Sequence, residues 1–118
     1  MINPNLYSGG SLAFIGDAYY ELYIRKYLLE KGLTNLNDLH DATVSQHKAI
    51  EYIYDELSDL EKDIYKRGRN FHYKNKTCDY ICASGFEALL GYLYLKGDDQ
   101  RLAYLMIKII GFVEATNA

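Results

Sequence analysis

Apolar residues recur along most of the chain at the spacing of a helix face, and few Pro or turn clusters interrupt them. A period of about 3.6 residues predicts α-helices that each bury at least one side. With a single Pro in 118 residues, the pattern favours long helices over many short strands. We therefore predict an all-α fold, organised as one domain over residues 1–118.

Local signals predict where several helices begin and end. Gly32 and Gly97 are typical of the position just after a helix. Ser58 with Glu61 three residues later forms the pattern of a capping box at a helix start. The segment FHYKNKT, at 71–77, is predicted as a loop. The predicted helices cover about 11–31, 37–57 (as one helix or a pair, with Asn35 or Asn37 as N-cap), 58–70, 79–96 and 98–116.

The first predicted helix carries a carboxylate, Asp17, in an apolar setting. Helical spacing gives this segment two apolar faces and therefore predicts partners on both sides; one face holds Phe14, Ile24 and Leu28 beside the acids, the other Leu12, Ile15, Tyr19 and Leu22. Carboxylates are rarely buried unless something compensates their charge. The alternative is that Asp17 is an N-cap after Gly16 and that the helix starts later.

A second carboxylate, Glu87, is the one charged residue in the segment ICASGFEALLGYLYL. Burying a lone carboxylate costs several kcal/mol unless it is paired, protonated or bound to a metal. Two such acids that converge at a helix junction form a hard-oxygen site suited to Mg²⁺, which keeps several waters and needs few protein ligands. The alternatives are that Glu87 reaches the surface or is matched by a distant Arg or Lys.

A basic segment, KRGRNFHYKNK, stands out in a chain whose net charge is −3. It contains no acid, its basic residues are interleaved with aromatic ones, and this combination suits a phosphate backbone. The alternative is a charged surface that only faces water. The candidate RNA-binding or DNA-binding residues are Lys66, Arg67, Arg69, Lys74 and Lys76.

Composition excludes several other classes. The 2 cysteines, Cys78 and Cys82, are too few for a disulfide framework and favour a reducing cytoplasm. Together with His72 they lack the usual four ligands of a zinc site. The longest nearly uncharged run, from Ile81 to Leu95, is too short for a membrane span. The first residues lack the basic and apolar blocks of a signal peptide.

Three blocks together resemble Mini-ribonuclease III, the compact bacterial relative of ribonuclease III without a double-stranded-RNA-binding domain. They are LAFIGDA at 12–18, KRGRN at 66–70 and FEALLGYLYL at 86–95. The resemblance implies an all-α, ribonuclease III-like homodimer that cleaves double-stranded RNA with Mg²⁺, or Mn²⁺ as a substitute. It further implies a part in the maturation of precursor large-subunit (23S) ribosomal RNA, aided by a ribosomal protein.

The resemblance also implies roles for individual residues. The catalytic and metal-binding acids of the family fall on Asp17 and Glu87, and an aromatic residue that reaches across the dimer falls on Phe14. The resemblance implies that the five basic residues named above contact RNA. Two further acids of full-length ribonuclease III fall on Ala13 and Ser84, which fits the Mini-ribonuclease III branch, and Glu21 is a candidate to supply part of the missing charge.

Two rival functions stay open at this point. The first is a non-catalytic RNA-binding or ribosome-assembly module on the same fold, against which Asp17 and Glu87 speak, since a pure binder has no need of buried acids. The second is a helical dimerisation or adaptor protein, against which the basic segment speaks.

Overall fold

The protein is described by a computed structural model over residues 3–32, 53–70 and 78–116, with side chains described except at 78–84 and 112–116. These residues contain no β-strand, which confirms the predicted all-α class. They form short 3₁₀ helices at Pro4–Leu6 and Tyr54–Glu56 and four α-helices, α1 (Gly9–Glu30), α2 (Asp59–Arg69), α3 (Cys78–Lys96) and α4 (Asp99–Thr116).

The local signals at Ser58, Gly32 and Gly97 place these helix ends correctly. The Ser58 side chain accepts a hydrogen bond from the Glu61 N–H at 3.2 Å, and the Glu61 side chain accepts one from the Ser58 N–H at 2.8 Å. This reciprocal pair is the predicted capping box at the start of α2. Gly32 and Gly97 have φ angles of 80° and 81°, which favour glycine and end α1 and α3.

Helix α3 lies at the centre of the described structure and makes its main contacts with α1 and α2. Its apolar composition on nearly all sides follows from this position, because a helix enclosed by neighbours needs no polar face. Helix α4 adds a third neighbour through one apolar face, formed by Leu102, Leu105, Met106 and Ile109, all buried. The core contains Tyr20 and Phe86, whose rings meet edge to face with centroids 5.7 Å apart.

Helix α1 buries one face, not the two that the sequence predicted. Its buried positions are Gly9, Leu12, Ala13, Gly16, Tyr20 and Ile24. Phe14 and Leu22, which were assigned to enclosed faces, are 79% and 70% exposed. Helical spacing groups apolar residues by face but does not say which of them a helix of the same chain will cover. The predicted partner on the other side of α1 is a second copy of the chain, and that part stays a prediction.

An ion pair connects α2 with α4. Arg101 donates from Nε to Glu61 Oε2 at 2.8 Å and from Nη2 to Glu61 Oε1 at 2.7 Å, so the pair is bidentate. It also donates to the carbonyl oxygen of Glu56 at 2.9 Å, in the 3₁₀ helix before α2. Burial alone would raise the pKa of Glu61, but the hydrogen bonds from Arg101 and Ser58 lower it below its usual value.

Some predicted elements lie outside the described residues. They are the N-caps at Asn35 or Asn37, most of the predicted helix 37–57 and the loop 71–77. At the end of that predicted helix, Tyr54–Glu56 is a 3₁₀ helix, and Leu57 is extended with ψ of 144° before α2 begins. In the described part of the chain, no helix has both the length and the apolar composition to cross a membrane.

Candidate active site

Asp17 lies in the middle of α1. The Ser8 side chain accepts a hydrogen bond from the Ser11 N–H at 3.1 Å, so Ser8 is the N-cap and the helix begins at Gly9. The alternative that Asp17 caps a later helix is therefore wrong. Because Asp17 is one turn before Glu21, the two carboxylates project from the same side of α1.

Glu87 faces Asp17 from the central helix α3, because α1 and α3 touch through their backbones at this point. A Cβ atom placed on Gly16 would lie 1.6 Å from the carbonyl oxygen of Glu87. A Cβ atom placed on Gly91 would lie 1.9 Å from the carbonyl oxygen of Leu12. Only glycine permits so close an approach on both helices, and the approach sets Asp17 beside Glu87.

The two carboxyl groups are strongly coupled. Burial, the negative charge of Asp17, a hydrogen bond to Asp17 and the charge of Glu21 together raise the pKa of Glu87 to about 8. A side-chain hydrogen bond therefore joins Glu87 to Asp17, and the raised pKa of Glu87 favours its protonated form near neutral pH. Each nearby charge that shifts this pKa is negative, which is the electrostatic setting of a cation site.

Glu21 contributes charge to this cluster but has a second interaction. Its Oε2 atom lies 3.7 Å from Nη2 of Arg25, and its side chain is 42% exposed. Its position one turn after Asp17 lets it act on Glu87 through charge. The geometry places Glu21 at the rim of the site, with Asp17 and Glu87 at its centre.

The donor set suits a divalent metal that prefers oxygen. Among the described residues, no group of three or more His, Cys, Asp or Glu side chains is arranged to hold a metal ion. Asp17 and Glu87 offer two carboxyl groups, a donor set that fits an ion such as Mg²⁺, which keeps several of its waters. A cation there would also offset the repulsion that otherwise keeps a proton on Glu87.

Tyr20 is a residue of this site that the sequence reasoning did not single out. Its side chain is fully buried, and its ring packs on Phe86, the residue before Glu87. Burial and the charge of Glu87 raise the pKa of the Tyr20 hydroxyl. The one sequence signal that could have indicated Tyr20 is its spacing of three residues from Asp17, because residues three apart lie on the same side of a helix.

The basic segment begins on the last turn of α2. Lys66 and Arg69 are exposed there, where positive side chains also favour the negative end of the helix dipole. Arg67 differs from them, because its Nη2 atom donates a hydrogen bond to the carbonyl oxygen of Tyr7 at 2.7 Å. Lys74 and Lys76 lie outside the described residues.

Phe14 stands beside an apolar groove on the surface of α1. The groove has a volume of about 460 Å³. It lies between the chain that leads into α1 and the end of α3, and it is lined by Tyr7, Ser8, Gly10, Ser11, Phe14, Ile15 and Leu95. An exposed aromatic ring next to a groove of the same surface is an arrangement in which two copies can each fill the other's groove.

The family model named Ribonuclease III domain matches residues 10–98 of this chain, and this match defines the class of the protein. Mini-ribonuclease 3 of Streptococcus pneumoniae is 41% identical over 97% of this chain and 99% of its own length. Mini-ribonuclease 3 of a Thermoanaerobacter species is 43% identical over 87% of this chain and 80% of its own length.

Structural similarity agrees with these matches. A crystal structure of a protein from Fusobacterium nucleatum superposes with a TM-score of 0.80 at 31% identity, covering 93% of this chain and 98% of that one. The chain therefore belongs to the Mini-ribonuclease III branch of the ribonuclease III family, as the three sequence blocks indicated. It is an endoribonuclease of the double-stranded-RNA-cleaving type, a class that works with a divalent metal.

Proposed function

We propose that this endoribonuclease cleaves double-stranded RNA in a Mg²⁺-dependent reaction, with Asp17 and Glu87 as the metal-binding catalytic acids. The observation that carries the proposal is the contact of these two carboxyl groups across the α1–α3 crossing, where burial and the negative charge of Asp17 raise the pKa of Glu87 to about 8. A ribonuclease has a use for such a pair, whereas a module that only binds RNA would bear its cost without benefit.

The residues of the chain have separable tasks in this reaction. Asp17 and Glu87 would hold the cation, and the close packing of α1 on α3 would keep their carboxyl groups at a fixed separation. Glu21 adds negative charge at the rim. When bound, a divalent cation supplies positive charge that stabilises the charge developing on the phosphodiester in the transition state. Mn²⁺ is an acceptable substitute, because it also binds oxygen ligands.

The basic end of α2 is the proposed contact with the RNA backbone. Lys66 and Arg69 are exposed and can reach phosphates, and Lys74 and Lys76 follow in the same basic segment. Arg67 is proposed to bind phosphate with the donors it does not use for Tyr7. Contacts of this kind read duplex shape, phosphates and 2′-hydroxyls, with little dependence on sequence.

The protein is proposed to act as a homodimer through the Phe14 face of α1. The support is the 79% exposure of Phe14 and the apolar groove that this residue helps to line, since a protruding ring and a groove on one surface suit a two-fold contact. A two-fold dimer would present two active sites to one duplex, so that each strand could be cut.

The proposed natural substrate is precursor 23S ribosomal RNA in the large subunit, with a ribosomal protein assisting. This proposal rests on the resemblance of the three sequence blocks and on the high coverage of relatives named Mini-ribonuclease 3. Since bacterial ribosomal RNA matures in the cytoplasm, the proposal also places the enzyme there.

The central test is cleavage of a long RNA duplex in Mg²⁺ and in EDTA. Wild-type protein should cleave only in Mg²⁺. Asp17→Asn and Glu87→Gln should each lose at least about 100-fold in rate, because even residues that merely support metal ligands contribute about 10–100-fold. Both variants should still bind the duplex.

The matched control is Glu30→Gln, which removes an acid from the same helix. The Glu30 side chain is 67% exposed and pairs with Lys26 at 4.0 Å, so this variant should cleave like wild type. A Glu87→Gln protein that cleaves at the wild-type rate would show that the site is elsewhere. Duplex binding without cleavage by the wild type would instead favour the rival RNA-binding module.

A further inference from the structure

The glycine contact between α1 and α3 lies next to the two proposed catalytic acids. On α1 the contact is made by Gly16, which immediately precedes Asp17 in the chain. The atom against which Gly16 rests is the carbonyl oxygen of Glu87 itself. The same contact continues at Gly91, where a Cβ atom would meet the carbonyl oxygen of Leu12 at 1.9 Å and the amide nitrogen of Gly16 at 3.1 Å.

Every atom in these close contacts belongs to a backbone. A flexible side chain could swing away from an added methyl group, but a helix backbone can only move as a unit. To restore an ordinary contact of 3.4 Å from one of 1.9 Å, α1 and α3 must separate locally by about 1.5 Å. Active-site geometry tolerates about 0.5 Å, and a misplacement of about 1 Å can cost roughly 100-fold in rate.

We propose that Gly91, through its contact with the Leu12–Gly16 backbone, is a positioning residue that sets the separation of the Asp17 and Glu87 carboxyl groups. This inference rests on the proposed function, because it takes these two acids as the metal ligands. Gly91 contacts neither metal nor RNA. It acts by allowing the backbones of α1 and α3 to touch, so that the two side chains reach one cation together.

The first test measures Mn²⁺ binding by calorimetry, without RNA, for wild type and Gly91→Ala. Mn²⁺ is the probe because it binds oxygen sites more tightly than Mg²⁺ while keeping a similar preference. Gly91→Ala should bind Mn²⁺ at least ten-fold more weakly. Its affinity for an RNA duplex should stay within two-fold of wild type, because the basic end of α2 is unchanged.

The matched control is Gly9→Ala at the junction of α1 with α2. Its Cβ atom would lie 2.4 Å from the carbonyl oxygen of Arg67, so it also forces a methyl group against a neighbouring helix, but away from the acids. Gly9→Ala should lose stability while its Mn²⁺ affinity stays unchanged. Equal losses of Mn²⁺ affinity in both variants would contradict the proposal, since a general loss of packing would then explain them.

The sharpest test is rescue by a longer side chain. In the Gly91→Ala background, Asp17→Glu extends the carboxylate by one methylene, about the length of the expected separation. Asp17→Glu alone should weaken Mn²⁺ binding, whereas the Asp17→Glu/Gly91→Ala protein should recover at least part of the affinity that Gly91→Ala loses. A double variant that binds Mn²⁺ no better than Gly91→Ala would contradict the proposal that Gly91 sets the separation of the two carboxyl groups.

Three other outcomes are also decisive. If Gly91→Ala is unstable in buffer, the measurements are made with trimethylamine N-oxide, which strengthens folding; a chain that is unfolded even then contradicts the proposal, since the contact would serve folding and not placement. A wild-type protein that binds no Mn²⁺ contradicts the proposed function itself. Tight binding by both wild type and Gly91→Ala contradicts only the role of Gly91.

Discussion

At the scale of single residues, Glu87 combines a partly buried position with two negative neighbours. In an unfolded chain its pKa returns to the ordinary value of 4.5, whereas in the fold it is about 8. Both states carry the proton below pH 4.5. Between these two values the unfolded state releases the proton and the folded state keeps it, so the free energy of unfolding falls as the pH rises.

This difference predicts how Glu87→Gln changes stability in the absence of metal. In EDTA, the free energy of unfolding of the wild type should decline between about pH 5 and pH 8, and Glu87→Gln should remove most of that decline. At pH 8 the variant should be more stable by on the order of 3 kcal/mol. Urea unfolding across this pH range measures the difference.

The control for this measurement is Asp63→Asn, which changes an exposed acid on α2. It should follow the wild-type pH dependence within about 0.5 kcal/mol, as surface substitutions usually do. If Glu87→Gln follows it too, Glu87 is ionised in the folded apo protein, and the coupling with Asp17 is not as described.

At the scale of helices, Arg101 fastens α4 to the start of α2. Its partner Glu61 is only 7% exposed, so removing the guanidinium leaves a buried carboxylate without its main compensation. Arg101→Ala should lower the free energy of unfolding by about 2–3 kcal/mol. Breaking a fully buried pair costs about 3–5 kcal/mol, and the loss should be smaller here because the Arg101 side chain is 28% exposed. Chemical denaturation at pH 7 measures this loss.

Acid provides an independent check on the same ion pair. The pKa of Glu61 is lowered in the fold, so its contribution is present above the ordinary glutamate pKa and is lost as the pH falls through the folded value. Wild type and Arg101→Ala should therefore converge in acid. Lys26→Ala, which breaks a pair at 4.0 Å between two exposed side chains, should cost at most about 0.5 kcal/mol.

The end of α2 gives a prediction about RNA affinity. Lys66→Ala and Arg69→Ala should each weaken binding to all duplex sequences alike and flatten the log–log salt slope by roughly 0.9, the B-DNA value per phosphate contact. Together they should flatten it by about two. The Lys74→Ala/Lys76→Ala pair is predicted to act in the same way. Affinity is measured at several salt concentrations in Ca²⁺.

Lys26→Ala is the control for this series, because Lys26 is an exposed cation on α1 outside the basic segment. Its salt slope should match wild type. Unchanged slopes in the Lys66 and Arg69 variants would move the RNA-binding surface elsewhere. Arg67→Ala is expected to differ from the Lys66 and Arg69 variants, because it also removes the hydrogen bond from Arg67 to the Tyr7 carbonyl oxygen.

Helix ends were predictable from sequence, whereas contacts between helices were not. The capping box of Ser58 and Glu61 depends on residues three apart, and the turn at Gly97 depends on one residue, so each leaves a local signal. The Arg101–Glu61 pair joins residues 40 positions apart. Nothing in the spacing of either residue indicates the other, and the sequence therefore could not show that Glu61 both caps α2 and anchors α4.

At the scale of the whole molecule, the exposed Phe14 face predicts the oligomeric state. The wild type should sediment as a dimer at micromolar concentration. Because Phe14 is 79% exposed in the single chain, Phe14→Asp should give folded monomers and not unfolded protein, since the charge is buried only when two copies meet. Sedimentation measures the mass, and circular dichroism checks the fold.

Ile107→Asp is a matched control, because Ile107 is also an apolar helical residue and is 66% exposed, on α4. It should leave the dimer intact. A dimer that survives Phe14→Asp but dissociates with Ile107→Asp would place the interface on α4. A wild type that is monomeric at these concentrations would contradict the dimer altogether.

The candidate site was only partly predictable from sequence, because its two acids leave local signals but their contact does not. Asp17 and Glu87 stand out in sequence because each is an acid among apolar residues, and their placement on two helices of the core suggested convergence. Their actual contact depends on Gly16 and Gly91, which are 75 positions apart, and no local pattern reports so distant an approach. The 79% exposure of Phe14 in the single chain is compatible with its predicted place in a contact between two copies, which stays a prediction.

The crossing of α1 and α3 also has a genetic consequence. Any missense change in the codon of Gly16 or Gly91 adds a Cβ atom, and the space for that atom is already taken by the carbonyl oxygen of Glu87 or Leu12. Neither position therefore has a conservative replacement. In a saturation mutagenesis library selected for ribonuclease activity, variants at these two glycines should be depleted as completely as variants at Asp17 and Glu87. The glycines themselves take no part in the chemistry.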